Sequence, residues 1–433
     1  MTGLRKRSHR KCVREVSTLI RPLRPDVAIP DFSASAILPP VPAPDPTRRP
    51  KLLFLVTEDW YFCSHRLPVA RAARAAGFEV VVATRVRAHG ERIREEGFTV
   101  RSIPWRRRGD RVVGAGRAIS EIARLYRAEQ PDIIHHVALK PVLLGGIAWR
   151  LAFGDSADAP VVVDAIMGLG SGCSHKSLAA RLRRPSLGLG LRLATPKDHR
   201  WVVVQNPEDY AALAKTRIDP NRIVMIRGSG VDPLHFVPLP DPGVPTVTVA
   251  LVSRMLRQKG VLDAIAAIRL LRARGFPVEL LLAGPVDPDN RGSLTAELLT
   301  SLSAEPGIEW LGPVDDVREV WGRAAIAVLP STYGEGVPKA LIEAAACARP
   351  IVATDIPGCR EVVRPGETGT LVPPHDVNQL AAALAALAGD PARRASMGRA
   401  GRALVERDFA EEIIARQTLA VYQAALQERA GQR

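Results

Sequence analysis

"FVPLPDPGVPTVTVALVSRMLRQKGVLDAI", residues 236–265, decides the fold. Four prolines fall within its first ten residues. Each fixes φ and removes a backbone donor, so neither a helical nor a strand period survives, and 236–245 reads as a linker. The pattern then starts afresh. "TVTVALV" (246–252) is a continuous apolar run of strand length, "GVLDAIAAIRLLRARG" (260–275) carries helical spacing and ends on glycine, and "VELLLAG" (278–284) is again a strand. A strand–helix–strand unit restarting after a break predicts a second α/β domain rather than a continuation of the first.

Upstream of the break the same alternation runs from "KLLFLV" (51–56). It continues through helix 65–77, "FEVVVAT" (78–84), a short helix at 91–97, the amphipathic helix 115–131 and "DIIHHV" (132–137). "PVVVDAI" (160–166), "WVVVQN" (201–206) and "RIVMIR" (222–227) complete it. Downstream come helix 292–304, "IEWLG" (308–312), "AIAVLP" (325–330), helix 337–348 and "PIVATD" (350–355), with helices expected over most of the remainder. Short apolar strands alternating with helices predict parallel sheets covered on both faces. The expected organisation is a leader at 1–50, an α/β domain at 51–235, the linker, and a second α/β domain at 246–408. A final helix, 409–433, packs back across both. Ligands then belong beyond the carboxyl ends of the strands and in the cleft between two doubly wound, Rossmann-like domains.

A chain of 433 residues suits two domains of about 150–200 residues each. Its net charge of +15 is unevenly spread: residues 1–200 carry 35 Lys and Arg against 18 Asp and Glu, and residues 201–433 carry 25 against 27. The first half is therefore expected to face something polyanionic, unless the excess reflects only arginine-rich composition. Aromatics make up 5% and are not interleaved with the arginines, which argues against nucleic acid. Five scattered cysteines without CxxC or Cys/His spacing argue against disulfides and a zinc site and fit a reducing cytoplasm. No apolar run reaches 18 residues, so no transmembrane helix is expected. The basic, proline-rich leader reads as disordered, or as the product of a misassigned start.

The chemistry is expected around "STYGEGVPKALIEAA" (331–345). Gly334 and Gly336 flank Glu335 and allow close backbone approach to a ligand. Pro338 suits the first turn of the following helix, and Glu343 should stand about two turns on, set back by roughly 12 Å of rise. Two carboxylates so placed can grip two ends of an elongated, hydroxyl-rich ligand; a capped helix with solvated glutamates is the plainer reading. "SRMLRQKG" (253–260) puts Arg254 and Lys259 between a strand end and a helix start; without its context the segment reads equally as a solvated basic turn. His135, His136 and Lys140 close a first-domain strand and are expected to face the cleft. "MGLGSG" (167–172) lacks a dinucleotide fingerprint and reads as close backbone approach to substrate, through Gly168 and Gly170. No metal site is expected. "PWRRRGDR" (104–111) and segment 174–197 are basic elements of the first domain; the second mixes Leu with Arg and Lys, as a surface helix docking on anionic lipid would, or is an ordinary solvated helix.

The glutamate pair and its surroundings resemble the E-x7-E signature of retaining GT-B glycosyltransferases of family 4. "ALVSRMLRQKGVLDAI" (250–265), "LAGPVDPDN" (282–290), "LGPVDDV" (311–317) and "PIVATDIPGCREVVRPGETGTLVPPHD" (350–376) carry the resemblance in the second half. In the first half "TEDWYFCSHRLPVARAARAAGFEVVVAT", "DIIHHVALKPVLLGGIA", "AIMGLG" and "RGSGVD" are similar to the subgroup that extends saccharides on polyprenyl diphosphate. The similarity covers about residues 51–430. It implies the GT-B fold, no cofactor, and a hexosyltransferase using a nucleotide diphosphate sugar, UDP-linked, and a lipid-linked saccharide acceptor. It places the enzyme in the cytoplasm, peripheral on the inner face of the membrane and feeding surface polysaccharide or glycan assembly. It implies that Glu335, helped by the Gly336 and Val337 amides, contacts the donor sugar, and that Glu343 accepts from the ribose. Arg254, Lys259 and Gly284 serve the donor diphosphate. A histidine near the reacting sugar is implied, His135 ahead of His136, with Lys140, His65, Gly168 and Gly170 on the acceptor side. The first loop departs from the Gly-Gly loop of the wider superfamily, and Gly334 replaces an arginine frequent among relatives, so sugar choice does not carry over. The alternatives are a nucleotide-sugar epimerase of the same fold and a non-catalytic nucleotide-sugar-binding scaffold.

Overall fold

Runs of Val, Ile and Leu without a polar alternation become strands buried on both faces. The computed structural model describes residues 49–104, 112–154, 156, 158–168, 197–216, 218–242 and 245–431. Within them lie two parallel sheets. The first comprises β1 (Lys51–Glu58), β2 (Glu79–Arg85), β3 (Thr99–Ser102), β4 (Ile133–Val137), β5 (Val161–Ile166), β6 (Arg200–Val204) and β7 (Ile223–Met225). Their order is β3-β2-β1-β4-β5-β6-β7. The second comprises β8 (Val247–Val252), β9 (Val278–Ala283), β10 (Ile308–Trp310), β11 (Ile326–Leu329), β12 (Ile351–Thr354) and β13 (Gly369–Val372), in the order β10-β9-β8-β11-β12-β13. The direction of strand addition reverses between β1 and β4, and again between β8 and β11. Such switch points open crevices beyond the strand ends, and both sheets belong to one compact unit.

Three local features depart from the sequence pattern. The four-residue edge strands β3 and β13 show no continuous apolar run, because an edge strand is half exposed. The expected helix 65–77 runs over Leu67–Ala75, and an unexpected short helix, Asp59–His65, precedes it, the two broken at Arg66 (φ −124°). Pro68 is the cause. In a continuous helix its N–H would bond the Ser64 carbonyl, and proline has none to give. That carbonyl instead accepts from Lys339 Nζ at 2.7 Å, across to the second sheet's layer. Third, the helix expected from 292 begins at Ala296, with Thr295 capping the Leu298 amide.

The proline-rich stretch 236–242 has no period of its own, yet it is strapped down. Arg402 donates to the carbonyls of Pro233, Phe236 and Ala346, Arg349 to that of Pro240 at 2.8 Å, and Arg394 to Asp241 at 2.8 Å. The chain crosses back at Val231 and Ala410, which pair as a parallel bridge. The terminal helix Glu411–Gly431 then buries Ile414, Val421 and Tyr422 among Leu52, Phe54 and Phe78 of the first sheet's layer. No helix among the described residues is long and apolar enough to cross a membrane.

Candidate active site

At the second sheet's switch point the turn after β8 runs directly against the loop after β11. Glycine makes that possible: Gly260 has φ +74°, and a Cβ there would lie 2.0 Å from the Pro330 carbonyl oxygen. The Thr332 amide donates to the Gln258 carbonyl at 2.9 Å and ties the two segments together. Lys259 Nζ is thereby brought onto Glu335 Oε2, while Ser331 Oγ donates to Oε1. The Lys259 and Glu335 side chains are only 14% and 9% exposed. Burial pushes the Lys259 ammonium down, but Glu335 and Tyr333 outweigh it and hold its pKa above the ordinary value. Arg254, on the same turn, pairs with Asp287 and places its guanidinium 5.8 Å from the centroid of the Trp60 ring, which comes from the first sheet's layer.

These groups face a cavity of about 1040 Å³ lined from both sheets' layers, with Trp60, Tyr61, His65, Met167, Gly168 and Gln205 supplied by the first. Glu335, Gly336, Val337, Glu343, Arg254, Lys259 and Gly284, the residues expected on the donor side, all line it. Gly284 (φ +136°) holds its place because a Cβ would meet the Ser253 carbonyl oxygen at 1.9 Å. Gly168 lies against the Glu335 loop: a Cβ on it would lie 2.6 Å from the Gly336 nitrogen. The Val337 amide, expected to serve the donor, donates to Gln205 Oε1 at 3.0 Å.

The helix after the loop begins at Lys339, with Pro338 as its N-cap rather than in its first turn. Glu343 therefore stands one turn into the helix, not two. It is buried against Lys339 (3.7 Å), and burial raises its pKa. His65 lines the cavity with its ring stacked on Tyr61 at 4.1 Å. Burial, then Lys339 and Arg66, hold its pKa well below the ordinary value, so it is a neutral imidazole.

His135 and His136 do not face the cavity. Successive strand residues point to opposite faces, and β4 is covered on both. His135 stacks on Phe54 at 5.1 Å and bonds Tyr422 Oη through Nδ1 at 2.5 Å. His136 bonds Asp164 at 2.7 Å and Tyr126 at 2.9 Å, and Asp164 in turn meets Arg200 at 3.0 Å. Both imidazoles are shut in by the helices over the sheet. Lys140 is exposed near the start of helix Leu139–Phe153 and is not among the lining residues. Gly170 and the basic segments 105–111 and 174–196 lie outside the described residues.

Sequence reasoning passed over four lining groups. Gln205 ends β6 and clasps the Glu335 loop, and Trp60 caps Arg254. Asp59 is fully buried and accepts from the amides of Trp60, Arg87 and His89 (2.8, 2.6 and 2.9 Å), fixing the loop after β2. Asp289 reaches across the cleft to Arg85 and Arg87, each at 3.0 Å. Only the "DPD" pattern at 287–289 could have flagged the last, and both its aspartates hold arginines. No cluster of three or more potential metal ligands occurs among the described residues.

Residues 246–390 match the family of Glycosyl transferases group 1, and residues 51–183 match the Glycosyl transferase 4-like family. An alpha-maltose-1-phosphate synthase of Mycobacterium tuberculosis is 33% identical over 271 residues, 55% of this chain and 68% of that protein. The capsular polysaccharide biosynthesis glycosyltransferase CapM of Staphylococcus aureus is 28% identical over 183 residues, 42% of this chain and 47% of CapM. With several other curated relatives, too, the match spans about half their length, and only 18% of an exopolysaccharide phosphotransferase of Streptomyces coelicolor. The crystal structure of Anabaena HepE in complex with UDP superposes with a TM-score of 0.68 at 16% identity, covering 87% of this chain and 100% of that one; at such identity the likeness concerns the GT-B fold alone.

Proposed function

Because the chain belongs to the group 1 glycosyltransferases, we propose that it transfers a hexosyl residue, with retention of configuration, from a UDP-sugar to a polyprenyl-diphosphate-linked saccharide. The product feeds surface polysaccharide assembly, and the enzyme works peripherally on an anionic cytoplasmic membrane face. The observation that carries the reading is the Lys259–Glu335 pair, set beside Arg254 at the second sheet's switch point and facing a cavity closed by the first sheet's layer. The UDP bound by HepE and the capsular pathway of CapM lend support.

In this reading the donor diphosphate enters against Arg254 and Lys259 and exchanges with their carboxylate partners, Asp287 and Glu335. Two fixed cations in a partly desolvated site stabilise the charge that develops on the leaving diphosphate. Glu335, released from Lys259, accepts from the donor sugar hydroxyls beside Gly336, and Glu343 accepts from the ribose. The acceptor hydroxyl attacks the oxocarbenium-like sugar from the face the diphosphate leaves, and a leaving-group oxygen takes its proton. His65, kept neutral, can hydrogen-bond the acceptor from the first sheet's side.

The test is transfer of labelled sugar from a panel of UDP-, GDP- and ADP-sugars into the polyprenyl fraction of membranes, with Glu335→Gln beside the wild type. Transfer from one UDP-sugar, lost in the variant, is the expected result. Isomerisation or mere binding of the free nucleotide sugar, with no labelled lipid, would overturn the reading.

A further inference from the structure

We propose that Arg66 is a phosphate-binding residue, which a diphosphate-bearing ligand in the cleft engages by displacing the Met167 thioether. Arg66 sits at the break between helices Asp59–His65 and Leu67–Ala75 and is only 4% exposed. The other buried arginines all meet oxygen: Arg200 pairs with Asp164, Arg394 with Asp241, and Arg349 with the Pro240 carbonyl. The Arg66 guanidinium instead abuts a sulfur, Nη2 against Met167 Sδ, and its Nε has no acceptor among the described residues. A thioether is a weak acceptor, and a buried cation without a carboxylate costs several kcal/mol. One more buried polar atom without a partner among the described residues lies in a neighbouring imidazole, Nε2 of His135.

Arg66 stands directly behind the cavity wall. Ser64, His65 and Met167 all line the cavity, and Met167 Sδ also accepts from Gln205 Nε2 at 3.2 Å, so one side chain separates Arg66 from the cleft. Methionine is unbranched and repacks readily, so its swing exposes the guanidinium without backbone motion. A planar fork of donors beside neutral imidazoles suits a phosphate oxyanion better than a carboxylate-free core contact. The charge of Arg66 helps burial to keep both histidines unprotonated.

The inference rests on the transferase reading only for the identity of the anion, which is either the donor nucleotide diphosphate or the acceptor's polyprenyl diphosphate. Calorimetric titration of the full chain with inorganic pyrophosphate, UDP and farnesyl diphosphate tests it in the wild type, Arg66→Met and Met167→Ala. Arg66→Met should fold with an unchanged or higher Tm and lose at least about tenfold in affinity for one organic diphosphate. A loss confined to UDP assigns the donor, and one confined to farnesyl diphosphate assigns the acceptor. Wild-type affinity for all three ligands in Arg66→Met, or no binding of any to the wild type, overturns the proposal. Should Arg66→Met fail to fold, Met167→Ala decides: tighter binding supports the displaced plug, unchanged binding refutes it. Absence of sugar transfer from every donor, with diphosphate binding still dependent on Arg66, removes the transferase reading and leaves the site standing.

Discussion

At the residue scale, the Lys259–Glu335 pair shows how one contact serves both stability and chemistry. Removing one partner of a mostly buried pair strands the other, so Glu335→Gln should destabilise the fold by about 3 kcal/mol. Lys259→Met in the same chain should recover most of that, as read from chemical denaturation in a double-mutant cycle, while transfer stays at least about 100-fold down in both. The histidines give a second prediction. Burial is the leading cause that holds His65 and His135 well below the ordinary 6.5. The unfolded chain therefore takes up protons first as pH falls through 6.5, so the stability they contribute is fully present above that pH and is lost below it. The slope should be up to about 1.4 kcal/mol per pH unit for each histidine. Urea unfolding between pH 7 and 5 should show a shallower decline for His135→Leu than for the wild type; parallel curves would show that His135 is not responsible. Glu335, Arg254 and Lys259 could be picked out in the sequence because each follows a recognisable strand end, and Glu343 because of its spacing from Glu335. The fate of His135 and His136 could not, because a strand residue's neighbours across the sheet come from distant segments.

At the element scale, helix Leu139–Phe153 lies over β4 and carries Gly145 where a Cβ would come within 2.5 Å of His136 Nε2 and 2.6 Å of Leu55 Cδ2. Alanine is the better helix former by about 1 kcal/mol, yet Gly145→Ala should destabilise by about 1–3 kcal/mol, because the overpacking falls on a filled polar network. A midpoint of denaturation at or above that of the wild type would show that the helix can lift without penalty. The broken helix at Arg66 teaches the same lesson from the other side. Pro68 is visible in the sequence, but that the freed Ser64 carbonyl goes to Lys339 is decided by the facing layer.

At the scale of the whole molecule, Asp289 bridging to Arg85 and Arg87 is a charged latch across the cleft, with Arg87 and Asp289 55% and 36% exposed. An exposed latch is screened by salt and worth little to folding. Asp289→Asn should therefore leave the thermal midpoint within about 2 °C while increasing the radius of gyration seen by small-angle scattering at low salt. Identical scattering curves would show that other contacts alone set the closure. By itself the sequence determined the two parallel-sheet units and the carboxylates and cations placed between their strands and helices. Continuous apolar runs, helical spacing and glycines at forced turns are local signals, each readable within ten or fifteen residues. Only the tertiary structure decided that the proline-rich stretch is strapped down by three arginines, that the Val337 amide goes to Gln205, that two strand-end histidines are shut inside, and that Arg66 is buried against a sulfur. Those outcomes depend on which distant side chain fills each remaining valence, and that is settled by packing between segments hundreds of residues apart in some cases, not by any pattern within one of them.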